Sequence, residues 1–270
     1  DREMKEFHAA GGRTLVDCMT YQCGRDAEKL IQVSRASGVH VIATAGFLKA
    51  KYYLDKSLWI HLYSVEQIAD LLAAEVLEGL DRFNYCGPIV ERLPAKAGVF
   101  KFGTSYQAIH PIEAKWMKAV AIAHKKCGAP IITHTEYGTM AMEQSSTLQG
   151  YGVNPEQIII SHIDRNPDFD YHREVAKTGV FLEYDGPARV KYWSDNFVVD
   201  LILRMVDAGF EKQILLGLDL GRASYWKTNG GGPSFRYILD QFVPKLRRAG
   251  LPQDVIDGFL IHNPARAFAF

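Results

Sequence analysis

Seven short apolar runs recur along the chain with helix-like segments between them, and this alternation limits the fold more than any other feature. The runs are RTLVDCMT (13–20), VHVIATAG (39–46), AGVFKFGT (97–104), APIITHTE (129–136), QIIISHID (157–164), GVFLEYDG (179–186) and QILLGLDL (213–220). Each is a continuous Val/Ile/Leu/Phe run rather than an alternating one, the pattern of parallel strands covered on both faces. The intervening segments carry helix signals. Ser64 and Gln67 stand at capping-box spacing before a stretch that ends near Gly79. Pro111 opens a second, Lys125 and Lys126 fill its last turn, and Gly128 follows. A third runs from about Ser194 to Gly209, and Asn263 with Pro264 starts a last one.

Strand then helix, repeated without a linker, predicts an α/β fold: a single (β/α)8 TIM barrel over residues 1–270. Only seven strands are visible where such a barrel has eight, and the chain opens with a helical REMKEFHAAG. The expectation is therefore that the first strand lies upstream of this chain. The alternative is an open, doubly wound sheet of seven strands.

Composition narrows the function. A chain of 270 residues with 47% hydrophobic content can bury a large core. Lys+Arg and Asp+Glu balance at 31 each, so no polybasic nucleic-acid surface is expected. No apolar run reaches the ~20 residues of a membrane span, and no leader pattern opens the chain. The four cysteines form no C-x-x-C pair, which predicts a reduced, cytoplasmic protein with no nucleic-acid or membrane partner.

Polar residues interrupt the apolar runs at four places. Lys101 sits inside the third, where a buried ammonium is costly unless paired or neutralised. His134, His162 and Asp219 fall at the ends of the fourth, fifth and seventh. Barrel enzymes carry their chemistry at these C-terminal strand ends. Taken singly, each residue has an ordinary explanation: a satisfied core histidine, or a helix cap for Asp219. Together, two imidazoles, a carboxylate and a lysine make a first shell for zinc, cobalt or manganese. The other seven histidines (His8, His40, His61, His110, His124, His172 and His262) read as structural or solvated. Lys101 as a free amine could form a Schiff base. Alternatively its amine takes up CO₂ and becomes a carbamate, an anion able to bridge two cations. The His/His/Asp set favours the carbamate.

The order and spacing of VFKFGTS, ITHTEYGTM, ISHIDRNPD, LGLDLGR, NGGGPSFRYILDQFVPKLRRAG and HNPARAF resemble the phosphotriesterase family of the amidohydrolase superfamily, over essentially the whole chain. The resemblance implies a carboxylated Lys101 bridging two divalent metal ions, zinc first, with manganese or cobalt as alternatives. It implies that His134 and His162 bind one metal and Asp219 the other, with a bridging hydroxide. Asp219 would take the proton and pass it to the leaving group. The family also has a His-x-His pair on its first strand. This chain has no His-x-His, in keeping with the expected upstream strand.

The loops after the last two strands, EYDGPARVKYWSDN and LDLGRASYWKTNGGGP, offer Arg189, Lys191, Arg222 and Lys227 with Tyr192 and Tyr225. Cations with phenol donors suit a phosphate or another anion. Lys191, Arg222 and Tyr225, together with GFLKAKYY and DRFNYCGPIVER, resemble the branch of the family that hydrolyses phosphorylated sugar lactones. Lys49 and Lys51 are weaker candidates. The expected protein is a metal-dependent lactonase acting on a small anionic lactone or ester, and a homodimer is compatible with this. A promiscuous phosphotriesterase or carboxylesterase is the alternative. A Schiff-base aldolase and a non-catalytic sugar-phosphate-binding barrel stand further off.

Overall fold

In the computed structural model, which describes residues 1–270, all seven apolar runs form strands of one sheet. The strands are β1 (Thr14–Asp17), β2 (His40–Gly46), β3 (Ala97–Gly103), β4 (Ile131–His134), β5 (Ile158–Ser161), β6 (Phe181–Tyr184) and β7 (Ile214–Leu216). Every pairing is parallel, and neighbours in space are neighbours in sequence. A doubly wound sheet reverses its strand order at a switch point. The unbroken order β1 to β7 excludes that alternative and is the order of a TIM barrel.

The two faces of the sheet bury different cores. On the inner face, Val99, Ile132, Ile159, Phe181 and Leu215, from β3 to β7 in turn, pack with Ala267 into a compact layer. This layer fills the barrel interior as stacked side-chain rings do in such folds. On the outer face, a cluster of 49 buried residues joins the sheet to the helices. The helices preceding β7 are α1 (Arg2–Ala9), α2 (Ala27–Ser37), α3 (Trp59–Leu62), α4 (Val65–Leu77), α5 (Pro111–Cys127), α6 (Ala141–Gly150), α7 (Phe169–Lys177) and α8 (Asp195–Asp207). Three further α-helices, α9 (Val243–Arg248), α10 (Gln253–Asp257) and α11 (Asn263–Ala267), close the chain. None is long and apolar enough to cross a membrane.

Local chemistry sets these boundaries. The capping box of α4 forms in both directions: Gln67 N donates to Ser64 Oγ at 3.2 Å, and Ser64 N donates to Gln67 Oε1 at 2.9 Å. Ser64 aside, Ser194 caps α8 through the Phe197 amide at 3.3 Å. Gly128 ends α5 at φ 81, a left-handed conformation that glycine adopts without penalty.

Two buried carboxylates tie the site end of the barrel together. Glu113 accepts from Ala50 N at 2.9 Å and from Ser105 N at 3.1 Å, joining the segments after β2 and β3. Glu75 receives Arg25 in a two-point contact at 2.6 Å on each arm, and Arg25 also donates to Thr44 O at 2.8 Å. Both side chains are almost fully enclosed. Removing one partner leaves the other charge buried and alone, which typically costs about 3–5 kcal/mol. Arg25→Met should therefore lower stability by roughly that amount in denaturant unfolding. A loss near zero would mean that Glu75 finds another partner.

Candidate metal centre

Lys101, His134, His162 and Asp219 all gather at the C-terminal end of the sheet, but not at one level. Lys101 pairs in register with Ile132, whereas His134 pairs with Gly103 two residues further on. Lys101 therefore starts two residues lower than His134, inside its strand rather than at the end. Its position depends on Gly46 in β2: a Cβ there would lie 2.0 Å from the Lys101 carbonyl oxygen, which accepts Phe47 N at 2.9 Å. Lys101 is 3% exposed. No carboxylate forms a salt bridge with it, and the neighbouring Glu183 accepts the Ser161 hydroxyl.

His162 is the first residue past β5 and Asp219 lies three past the end of β7. Both have positive φ, 66 for His162 and 47 for Asp219. Such backbone costs about 1–3 kcal/mol in a non-glycine residue and is concentrated at functional sites. The His162 ring meets the His134 ring edge to face at 4.5 Å between centroids.

Around these imidazoles lie two aspartates. His162 Nδ1 is 2.5 Å from Asp185 Oδ2, a close contact, yet this buried nitrogen makes no hydrogen bond of regular geometry. One donor atom each from His162, Asp185 and Asp219 falls within 4.8 Å of the others. Arg165 Nη2 donates to Asp219 Oδ2 at 2.6 Å and reaches Asp185 Oδ1 at 3.4 Å. Arg189 Nη2 lies 3.0 Å from Asp219 Oδ2, and Arg189 Nη1 donates to the Asp219 carbonyl.

Electrostatics keep this set ready for a cation. Burial pushes the Asp185 carboxyl up, but His162 and Arg165 outweigh it and hold the group at about 2. Burial drives His134 well below the usual imidazole range, and His162, Lys49, Lys101 and Arg165 push the same way. Burial lowers His162 too, against an opposing pull from Asp185. Neutral imidazoles and an ionised carboxylate are the forms that bind metals. An orphaned imidazole nitrogen beside two carboxylates, with a second imidazole and a buried lysine adjacent, fits a borderline divalent ion.

His134 has a further support. Its Nε2 lies 2.8 Å from Glu136 Oε2, and Lys49 forms an ion pair with the same carboxylate. A carboxylate on one ring nitrogen fixes the tautomer and leaves the other nitrogen free to ligate. Lys49, read from sequence as a weak anion-binding candidate, is thus turned inward. Burial, reinforced by Lys51, lowers its amine to about 7.

The expected anion-binding residues lie along one rim. Lys191 is exposed, with its ammonium 4.7 Å from the Tyr192 ring centroid. Arg189 lies 5.9 Å from the Tyr192 ring and 5.0 Å from the Tyr225 ring, and Arg165 lies 4.5 Å over Tyr192. Arg222 is exposed, and its carbonyl accepts Tyr225 N at 2.9 Å. Three residues of the site escaped the sequence reading: Asp185, Arg165 and Glu136. Asp185 carried a usable signal, because it closes GVFLEYDG as Asp219 closes QILLGLDL.

The profile of the "Phosphotriesterase family" matches residues 1–268. This chain belongs to the phosphotriesterase family. Among its relatives is the "Phospho-furanose lactonase" of Mycoplasmopsis synoviae (strain 53), 41% identical over 278 residues, covering 100% of this chain and 79% of that protein. The crystal structure of the lactonase Lmo2620 from Listeria monocytogenes superposes with a TM-score of 0.92 at 35% identity, covering 100% of this chain and 85% of that one. The Escherichia coli phosphotriesterase homology protein, complexed with phosphate in its active site, superposes with a TM-score of 0.91 at 29% identity, covering 99% and 88%. The family's barrel is therefore the fold of this chain.

Glu136→Gln should weaken divalent-metal binding about 10–100-fold, as loss of a ligand-orienting carboxylate does. Competition with a chromogenic chelator measures this, and unchanged affinity would show that Glu136 does not orient His134.

Proposed function

We propose that this protein is a metal-dependent lactonase of the phosphotriesterase family that opens the ring of a phosphorylated sugar lactone. The reading rests chiefly on one observation: the donor atoms of His162, Asp185 and Asp219 converge within 4.8 Å, beside a buried lysine that has no carboxylate partner. The phospho-furanose lactonase name of the Mycoplasmopsis synoviae relative supports the substrate class.

Two divalent ions, zinc foremost, would be held by a carboxylated Lys101, by His134 and His162, and by Asp219, with Asp185 alongside. Such ions acidify a water and polarise a carbonyl oxygen. Asp219 takes the proton that the water sheds as its oxygen attacks the carbonyl carbon. The ring C–O bond then breaks, and Asp219 returns the proton to the departing alkoxide. Arg165 and Arg189 hold the Asp219 carboxylate in place from two sides. Lys191, Arg222 and Tyr225 bind the phosphate as charged and phenolic donors. We read residues 1–270 as a single catalytic domain. The four cysteines are all free thiols, which supports a reducing, cytoplasmic location.

Hydrolysis of a phosphorylated aldonolactone should exceed that of its unphosphorylated counterpart by about a hundredfold in kcat/KM. A preference for a neutral ester or a phosphotriester would overturn the substrate assignment. Asp219→Asn should cut kcat about 10²–10⁴-fold, the usual worth of a positioned proton carrier; near-normal kcat would remove that role. Lys101→Ala should lose bound metal in elemental analysis, and a short carboxylic acid should partly restore it. Arg222→Met should raise KM about tenfold for the phosphorylated lactone alone.

A further inference from the structure

A cavity of about 380 Å³ lies at the same barrel end, beside the segments that follow β3, β4 and β5. Tyr106 and Gln107 come from the first, Tyr137 and Thr139 from the second, and Arg165 and Asn166 from the third. Its size falls in the range of small-molecule sites. Arg165 lines it and also holds Asp219, so the cavity adjoins the candidate metal centre.

The walls combine exposed aromatic rings with neutral polar groups. Tyr106 and Tyr137 are 56% and 51% exposed. Their rings meet edge to face at 5.7 Å, and Tyr137 meets Tyr192 in the same way at 5.8 Å. Three phenols thus form an arc. Between them stand neutral polar groups. The Gln107 backbone N–H donates to Thr139 Oγ1 at 3.0 Å, leaving its side-chain amide available. Asn166 Oδ1 accepts Asp168 N at 3.0 Å, leaving its Nδ2 donor available.

The arrangement is held rather than loose. Gln107 and Tyr137 both have left-handed backbone, φ 49 and φ 54. The Thr139 hydroxyl accepts from Gln107 N and donates to Glu136 O at 2.8 Å, stapling the two segments. Non-glycine residues keep this conformation only where their surroundings dictate it.

The chemistry of the walls selects the occupant. The one charge, Arg165, is already engaged by Asp185 and Asp219. The free cations Lys191 and Arg222 are not among the residues that line it. What remains is aromatic surface with amide and phenol hydrogen-bonding groups, complementary to an uncharged, hydroxylated carbon skeleton.

We propose that this cavity is a neutral sugar subsite, which seats a glycosyl or polyol extension of the lactone. The proposal rests on the lactonase reading above. The test uses two substrates sharing one phosphorylated five-carbon lactone ring, one bare and one bearing a glucosyl substituent. In the metal-loaded wild type, the substituted lactone should be the better substrate. In Tyr137→Ala and Gln107→Leu, the ratio of kcat/KM for substituted over bare lactone should fall about tenfold, through KM. Binding of maltose, followed by intrinsic fluorescence, should weaken in the same variants. An unchanged ratio with unchanged maltose binding overturns the subsite. If the wild type turns over neither lactone, the lactonase reading fails instead, and maltose binding alone decides the subsite: binding lost in the variants supports it, and no binding to the wild type overturns it. Far-ultraviolet circular dichroism and melting confirm that the variants fold; Tyr137→Phe separates the ring from its hydroxyl.

Discussion

A lysine amine inside a barrel calls for a negative partner, yet no carboxylate stands in ion-pair contact with the buried Lys101. The carboxylates around it are each held by another group. Glu183 accepts the Ser161 hydroxyl, Asp185 faces His162, and Asp219 is gripped by Arg165 and Arg189. On the function proposed above, a carbamate on the amine would reverse its sign, and that anion would in turn call for cations. The neighbouring imidazoles, kept neutral by burial, are suited to share those cations. The backbone is arranged to allow this position, since only a glycine at 46 lets β2 pass so close to the Lys101 carbonyl.

The arginines give the site a second character. Asp219 combines a left-handed backbone with two guanidinium contacts, so both its main chain and its carboxylate are fixed. His162 shares the left-handed backbone, and its amide donates to Asp185 at 3.1 Å. Of the candidate ligands that stand beyond the strand ends, His162, Asp185 and Asp219, two thus have left-handed backbone. Order is imposed there by side-chain contacts, where ladder hydrogen bonds no longer reach.

Much of this was legible in the sequence. Continuous apolar runs and capping residues are local signals, and each strand and each main helix formed where its pattern placed it. Lys101, His134, His162 and Asp219 were singled out by one rule, polarity that interrupts an apolar run. What the pattern could not convey was depth. Register between β3 and β4 puts Lys101 two residues below His134, and register is a property of two strands, not of one. Nor could it convey recruitment. Lys49 looked like a cation facing substrate, but its partner Glu136 comes from a segment 87 positions away in the chain (136 − 49). Arg165 sits in a polar stretch, IDRNPD, that reads as an ordinary turn. Only the fold brings it over Asp219.

Tyr192 links the two rims of the site. Its ring touches Arg189 and Lys191 of the cation-bearing loop, and also Arg165 and Tyr137, which line the cavity. A change at this residue disturbs both rims together. Divergence toward new substrates in a barrel of this design is therefore not modular: selection on one end of the ligand is felt at the other. Relatives that differ at this position are expected to differ at both rims, as a correlated set rather than by independent steps.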